Sequence, residues 1–167
     1  LVMKFGGTSM GSAERIRNAA ALSAEQARLR PTVVVVSAMS KITDLLLEGL
    51  RRAEAGDRKG LDERLGELSA RHRDTCVDLL EGSACDKGLA AIDSLVGEYE
   101  RLANGILMLG ERPLRSVDEA IAIGERLSAM LLAAYLQAEG VNAEPVNARD
   151  IVVTNAVFGG ATPLVPQ

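Results

Sequence analysis

Lys4-Phe5-Gly6-Gly7-Thr8-Ser9-Met10-Gly11-Ser12 is the stretch on which the reading of this chain turns. The short apolar run Leu1 to Phe5 reads as a strand, and Gly6-Gly7 closes it in a turn. Ser12 is an N-cap for a helix running to about Arg30, with Glu14 in the first turn where the helix dipole favours an acid. Pro31 stops that helix. Glycines between a strand and a helix let backbone N–H groups approach an anion, and the helix N-terminus adds positive potential. The stretch is not a Walker A loop: Gly6 and Gly11 have that spacing and Ser12 follows, but no lysine lies between them. It does not match GxGxxG either. Lys4 instead precedes the glycines at the end of the strand, on the other side of any phosphates held there. On the residues alone two readings stand side by side. One is a tight turn that uses glycine for backbone reasons. The other is a phosphate cradle served by Lys4 and the Thr8 and Ser9 hydroxyls.

Outward from this turn, Thr32 to Val36 is four valines after a threonine and reads as a strand buried on both faces, completing a right-handed β-α-β unit. After Ser37-Ala38-Met39-Ser40, with Ser40 as a cap, a helix is expected from Ile42 to Ala55. Gly56 to Gly60 is a polar break. Two long helices follow. In the first, Leu65, Leu68, His72, Thr75, Cys76 and Leu79 share a face; in the second, Ile92, Leu95, Tyr99, Leu102, Ile106 and Leu109 alternate spacings of three and four, the seam of a paired helix. A loop over Gly82 to Gly88 folds them into an antiparallel hairpin, a structural insertion over about 57–112. Ser116-Val117-Asp118-Glu119 reads as a capping box. It opens a helix to Glu139, broken at Gly124 and closed by Gly140. Val141 to Val146 and Ile151 to Thr154 are expected strands. Strands alternating with helices give an α/β sheet covered by helices on both faces.

Composition narrows the function. Of the 167 residues 47% are apolar, only 2% are aromatic and none is Trp, so the core is built from Ala, Val, Leu and Ile. A formal charge of −4 with interleaved signs lacks the basic stripe of a nucleic-acid binder. Two cysteines without a CxxC and one histidine argue against a disulfide scaffold or a zinc site. No apolar run reaches the ~18 residues that a membrane span needs, and Leu1-Val2-Met3-Lys4 is no secretory signal. Reduced cysteines without a signal point to the cytoplasm. Both ends, Leu1 and Val165-Pro166-Gln167, look cut.

Lys-Phe-Gly-Gly-Thr-Ser-Met-Gly resembles the opening motif of the aspartate kinases within the amino-acid kinase family. Val35-Val36-Ser37-Ala38-Met39-Ser40-Lys41-Ile42-Thr43-Asp44 resembles that family's second strand-turn-helix, and Gly124-Glu125-Arg126-Leu127-Ser128 its Gly-Glu-Arg-Leu/Ile-Ser motif. The three occur in the family's order. The resemblance implies a three-layer α/β/α sandwich with a mainly parallel sheet, of which this chain is the N-terminal half. The ATP-binding C-terminal half and regulatory ACT domains lie beyond it, and the fragment alone is expected to show no appreciable kinase activity. The implied reaction is transfer of the γ-phosphoryl of MgATP to the β-carboxylate of L-aspartate, the first step of lysine, threonine and methionine biosynthesis. ATP, Mg²⁺ and L-aspartate are the implied ligands, and a homo-oligomer is the implied assembly of the full-length protein.

By the same resemblance Lys4, Phe5, Gly6 and Gly7 contact ATP, with Lys4 the catalytic cation, and Thr43 and Glu125 contact the amino acid. Glu125 would pair with the aspartate ammonium. Ser37, at the carboxyl end of the second strand, lies near the phosphates or near the substrate; its position fits either. Plainer readings stand beside these. Glu125 suits a helix start, Thr43 and Ser37 suit caps, and His72, Cys76 and Cys85 suit a packed core. Arg149-Asp150 reads as a turn pair, close to the substrate if the family's layout holds. The competing functions are an acetylglutamate, glutamate or UMP kinase, and a non-catalytic nucleotide-binding relative.

Overall fold

The computed structural model describes residues 1–164; Val165-Pro166-Gln167, read above as a cut end, lie outside the described residues. Two parallel strands, β1 (Val2–Phe5) and β2 (Val33–Val36), pair in register from Val2 opposite Val33 to Phe5 opposite Val36. Between them, after a single 3-10 turn over Gly7–Met10, runs α1 (Ala13–Ala27). Ser12 caps it as expected, its Oγ accepting from the Arg15 N–H at 3.4 Å. Then come α2 (Ile42–Glu54), α3 (Arg58–Leu79), α4 (Gly82–Leu109) and α5 (Leu114–Ala138).

The pair α3–α4 is the anticipated hairpin. Residues pair across it in opposite senses, Arg73 with Asp93 at 2.6 Å and Arg58 with Asn104 at 3.2 Å, as antiparallel helices require. Its turn is tighter than expected, only Leu80-Glu81, and Gly82 to Gly88 belong to α4 rather than to a loop. Asp57 caps α3 by accepting from the Gly60 N–H, so the polar break already contains the next helix's start. The seam holds at Ile92, Tyr99 and Ile106, all buried, but Leu109 at its end is exposed. Tyr99 reaches across to α2 and donates its hydroxyl to the Leu46 carbonyl at 2.7 Å. His72 and Cys76 are packed core groups. Burial pushes the Cys76 thiol up to about 11, so it stays protonated and inert at neutral pH. Cys85 is half-buried and free.

Four expectations give way. First, β2 is not buried on both faces: Val33 and Val35 are open, while Val34 and Val36 pack toward the core. Among the described residues, helices cover only one face of the two-stranded sheet, and α5 lies against β2 on that side. Second, the capping box is not a cap, because α5 starts at Leu114 behind Pro113, placing Ser116 to Glu119 inside its first turns. Third, α5 passes Gly124 unbroken and ends at Ala138, with Glu139 as its cap and Gly140 at φ 79° just after it, the left-handed terminator expected there. Fourth, Val141–Val146 and Ile151–Thr154 form no strands. A strand needs a ladder partner, and among the described residues this stretch finds only a single antiparallel bridge from Thr154 to Pro163. It is held instead by side chains: Arg149 pairs with Glu119, Asp118 accepts from the Gly159 N–H at 2.8 Å, and Arg115 lies over the Phe158 ring.

Candidate functional site

The carboxyl ends of β1 and β2 bring two turns together. Lys4, two residues before the glycine turn, stands on the open face of the sheet opposite Val35. Its Nζ approaches the Ser37 Oγ at 3.4 Å, while the Ser37 N–H donates to the Phe5 carbonyl at 3.0 Å. Ser37 thus extends the ladder by one bond and turns its hydroxyl toward the ammonium. That is the position, beyond the strand ends, at which open α/β sheets hold ligands.

The three glycines of the turn are glycines for different reasons. A Cβ on Gly7 would sit 2.9 Å from the Ala38 carbonyl oxygen, and one on Gly11 2.9 Å from the Ser40 Oγ. Both are needed so that the two turns can approach. Gly6 is not: a Cβ there meets nothing within 4 Å, and its φ of −77° suits any residue. Nothing in the chain's own packing asks for glycine at position 6. Space kept beside a lysine and backbone amides is what close approach of a phosphate requires. The Thr8 and Ser9 side chains are exposed, and Arg15 secures the turn from below by donating to the Thr8 carbonyl at 2.5 Å.

Ser40 is not the cap of α2. Lys41 occupies that place in the left-handed region at φ 65°, and Ser40 instead donates its hydroxyl to the Gly7 carbonyl at 3.0 Å. Thr43 follows in the first turn of α2, half-buried. Glu125 is half-buried on α5, and its neighbour Gly124 explains how α5 comes so near. A Cβ on Gly124 would be 2.8 Å from the Ala38 Cβ and 3.2 Å from the Ile42 Cγ2, so only glycine lets α5 lie against the second turn and α2. Gly124 is therefore a contact point rather than a helix break. Neither Thr43 nor Glu125 has a hydrogen-bond or ion-pair partner among the described residues.

The structure thus joins Lys4, Gly6, Gly7 and Ser37 directly, with Phe5 supplying the carbonyl that anchors Ser37. Thr43 and Glu125 sit one residue from Ile42 and Gly124, which meet each other. Lys4 rises from the open face of the sheet, whereas α5, which carries Glu125, packs on the covered one. Arg149 does not turn toward this rim; its guanidinium pairs with Glu119. Two clefts lie elsewhere, at the α2–α3 corner around Arg52, Asp57 and Lys59 and between α4 and α5 around Lys87, Met130 and Gln137. Two residues that line the first, Arg52 and Asp57, pair with each other, and Arg52 also pairs with Glu48. No group of three metal-ligating side chains occurs among the described residues, and no described helix is long and apolar enough to cross a membrane.

Sequence reasoning missed two residues near this rim. Arg71 of α3 donates its Nη2 to the Ser40 carbonyl at 2.9 Å. Arg126, beside Glu125, makes a two-pronged pair with Glu98 of α4, at 2.5 and 3.1 Å. The quoted motif contained Arg126, but nothing in the spacing of α3 marks Arg71 as different from its other arginines.

The family model for the amino acid kinase family matches residues 1–163, nearly all of the chain. The chain belongs to that family. Among its relatives, the chloroplastic bifunctional aspartokinase/homoserine dehydrogenase 1 of Arabidopsis thaliana is 36% identical over 152 residues, covering 91% of this chain and 16% of that protein. The aspartokinase of Chlamydia trachomatis is 33% identical over 165 residues, covering 98% of this chain and 34% of that protein. Among solved structures, E. coli aspartokinase III in complex with lysine and aspartate superposes with a TM-score of 0.83 at 26% identity, covering 97% of this chain and 34% of that one. The same enzyme in complex with aspartate and ADP gives 0.82. The chain is therefore an α/β amino acid kinase segment, spanning between 16% and 34% of the length of these relatives.

Proposed function

We propose that this chain is the N-terminal portion of an aspartate kinase catalytic domain, with the α3–α4 hairpin as its helical insertion. The ATP-binding C-terminal half and ACT-type regulatory domains would lie in a continuation. The reaction is transfer of the γ-phosphoryl of MgATP to the β-carboxylate of L-aspartate, giving 4-phospho-L-aspartate. One observation carries this reading above the others: Lys4 and Ser37 meet at the ends of two parallel strands, beside a Gly6 whose missing side chain the fold itself does not use. The named aspartokinase relatives, one of them solved with aspartate and ADP, supply the substrates to be tested.

The chemistry suits such a rim. A carboxylate is already an anionic nucleophile, so no general base is needed, and catalysis reduces to holding two anions together while neutralising their shared charge. Lys4 supplies a compact cation at the phosphates. Backbone N–H groups of the Gly6-Gly7 turn supply donors fixed before the substrate arrives. Phe5 carries the backbone between them. Glu125 pairs with the aspartate ammonium, which gives a use to a half-buried acid that has no cation of its own. Thr43 donates its hydroxyl to a substrate carboxylate, and Ser37 steadies the Lys4 ammonium. Mg²⁺ arrives with ATP as part of the substrate.

The test is phosphoryl transfer by the full-length protein, with the acyl phosphate trapped as a hydroxamate. Aspartate is the expected acceptor, and residues 1–167 alone are expected to give no appreciable turnover. Preference for glutamate, acetylglutamate or UMP would move the protein elsewhere in its family. Nucleotide binding without transfer to any of these would make it a non-catalytic relative.

A further inference from the structure

The hairpin α3–α4 looks from sequence like a structural insertion, yet α3 reaches the strand-end rim. Arg71, half-buried, donates to the Ser40 carbonyl at 2.9 Å, and Ser40 in turn donates its hydroxyl to the Gly7 carbonyl at 3.0 Å. The peptide that carries this carbonyl is planar and trans, so its N–H, that of Thr8, points the opposite way. The preceding peptide is fixed similarly, because the Gly6 carbonyl accepts from the Ser9 N–H at 2.9 Å and the Gly7 N–H is thereby turned outward. Two successive amides are aimed by two hydrogen bonds. One of those bonds is local to the turn, and the other comes from the second turn, which α3 holds.

We propose that Arg71 is a positioning residue for the nucleotide phosphates, acting through Ser40 on the Gly7–Thr8 peptide, and that the Thr8 N–H is one of the donors it aims. Arg71 touches no substrate in this scheme. It fixes the Ser40 backbone, which in this turn precedes Lys41 in its left-handed conformation and so has an unusual path to hold. The bare Cα atoms of Gly7 and Gly11 against Ala38 and Ser40 leave the two turns in contact, so a shift in one displaces the other. The inference rests on the reading above that this turn receives ATP.

Four variants of the full-length protein test it: Arg71→Ala, Arg71→Lys, Ser40→Ala and the Arg71→Ala/Ser40→Ala double variant. Each is measured by steady-state kinetics for both substrates and by ADP titration calorimetry. One lost positioning bond corresponds to roughly a tenfold loss. Arg71→Ala and Ser40→Ala are each expected to raise the ATP KM and the ADP Kd by about that factor, with the aspartate KM within about twofold of the parent. Arg71→Lys, which retains a donor, recovers part of the loss, and the Arg71→Ala/Ser40→Ala double variant is no worse than the worse single, because the two act in series. An unchanged ADP Kd, a parallel rise in both KM values, or losses that multiply in the double variant each overturn the proposal. If the parent binds ADP but does not phosphorylate aspartate, the substrate assignment has failed, and the ADP titrations still decide the role of Arg71.

Discussion

In the α3–α4 hairpin several polar side chains are spent on the fold, whereas at the strand-end rim some are left over. Tyr99 gives its hydroxyl to Leu46, Arg73 pairs with Asp93, Thr75 bonds back to Arg71, and Glu98 takes both prongs of Arg126. A few residues away, Lys4 has one 3.4 Å approach to Ser37, Thr43 and Glu125 have no partner among the described residues, and Gly6 leaves room that nothing fills. Both regions were built from the same ordinary residue types. What separates them is whether the chain's own atoms complete each group, and incomplete groups gathered at the ends of parallel strands are where a ligand completes them.

The sharpest way to break this contrast is to remove the cation at the rim. Lys4→Ala should lower kcat/KM for aspartate phosphorylation by at least about 10²-fold, the loss typical of one charge-stabilising group at a transition state. Its melting temperature should stay with the parent's, because the side chain is exposed and makes no other bond among the described residues. A Lys4→Ala enzyme with parental turnover would place the phosphates elsewhere.

The two glycines divide along the same line. Gly7→Ala forces a methyl to within 2.9 Å of a backbone oxygen and should cost about 1–3 kcal/mol of stability, as overpacking does. Gly6→Ala enters open space at φ −77° and should leave stability within about 0.5 kcal/mol while weakening ADP binding. Equal destabilisation by both would mean the turn is only a turn. Denaturant melts paired with ADP titrations read the two effects separately.

How far the sequence carries can be seen in the same places. The strand, glycine turn and capped α1 were legible because each is a local rule: an apolar run, a pair of glycines, a serine before a helix. The hairpin was legible because spacings of three and four mark a helix face regardless of its partner. The expected strands at Val141–Val146 and Ile151–Thr154 failed for the opposite reason, since strand-forming composition makes no strand without a neighbour to pair with. Gly124 looked like a break, but a glycine inside a helix can equally serve close packing, and only the fold tells which. Lys4 and Ser37 could be named from motif and strand ends. Arg71 could not, because its role depends on where a helix thirty residues away crosses a turn.

In the hairpin, His72 gives a smaller and pH-dependent effect. Its Nδ1 lies 2.7 Å from the Leu68 carbonyl, which can only accept, so this nitrogen carries the proton of the neutral ring. Its Nε2 is buried without a partner, and burial first of all pulls its pKa below the ordinary imidazole value. The folded protein therefore holds the ring neutral while the unfolded chain takes up a proton below about pH 6.5. Stability should be fully present above that pH and fall as pH drops toward the folded-state value, with a slope of at most about 1.4 kcal/mol per pH unit for one proton. His72→Gln should flatten this slope; a wild type whose denaturation midpoint does not change between pH 7 and the acid side of 6.5 would mean that water reaches Nε2.

The smallest effect concerns the link between the two regions, the Arg126–Glu98 pair. The hydrogen bonds from Arg126 hold the Glu98 carboxyl below the ordinary carboxylate range. A depressed carboxylate pKa adds stability that is present above the unfolded value and lost as pH falls through the folded one. The side chains are about a third exposed, at 27% and 34%, so solvent screening limits the pair to about 1 kcal/mol or less. Glu98→Gln should thus melt slightly lower than the parent at neutral pH and converge with it once acid has protonated Glu98 in both states. Salt should shrink the neutral-pH difference. Because Arg126 sits beside Glu125, the same variant also asks whether the hairpin steadies the substrate acid. If it does, the aspartate KM rises at neutral pH while the ATP KM does not. If Glu98→Gln leaves both unchanged, the hairpin reaches the rim only through Arg71.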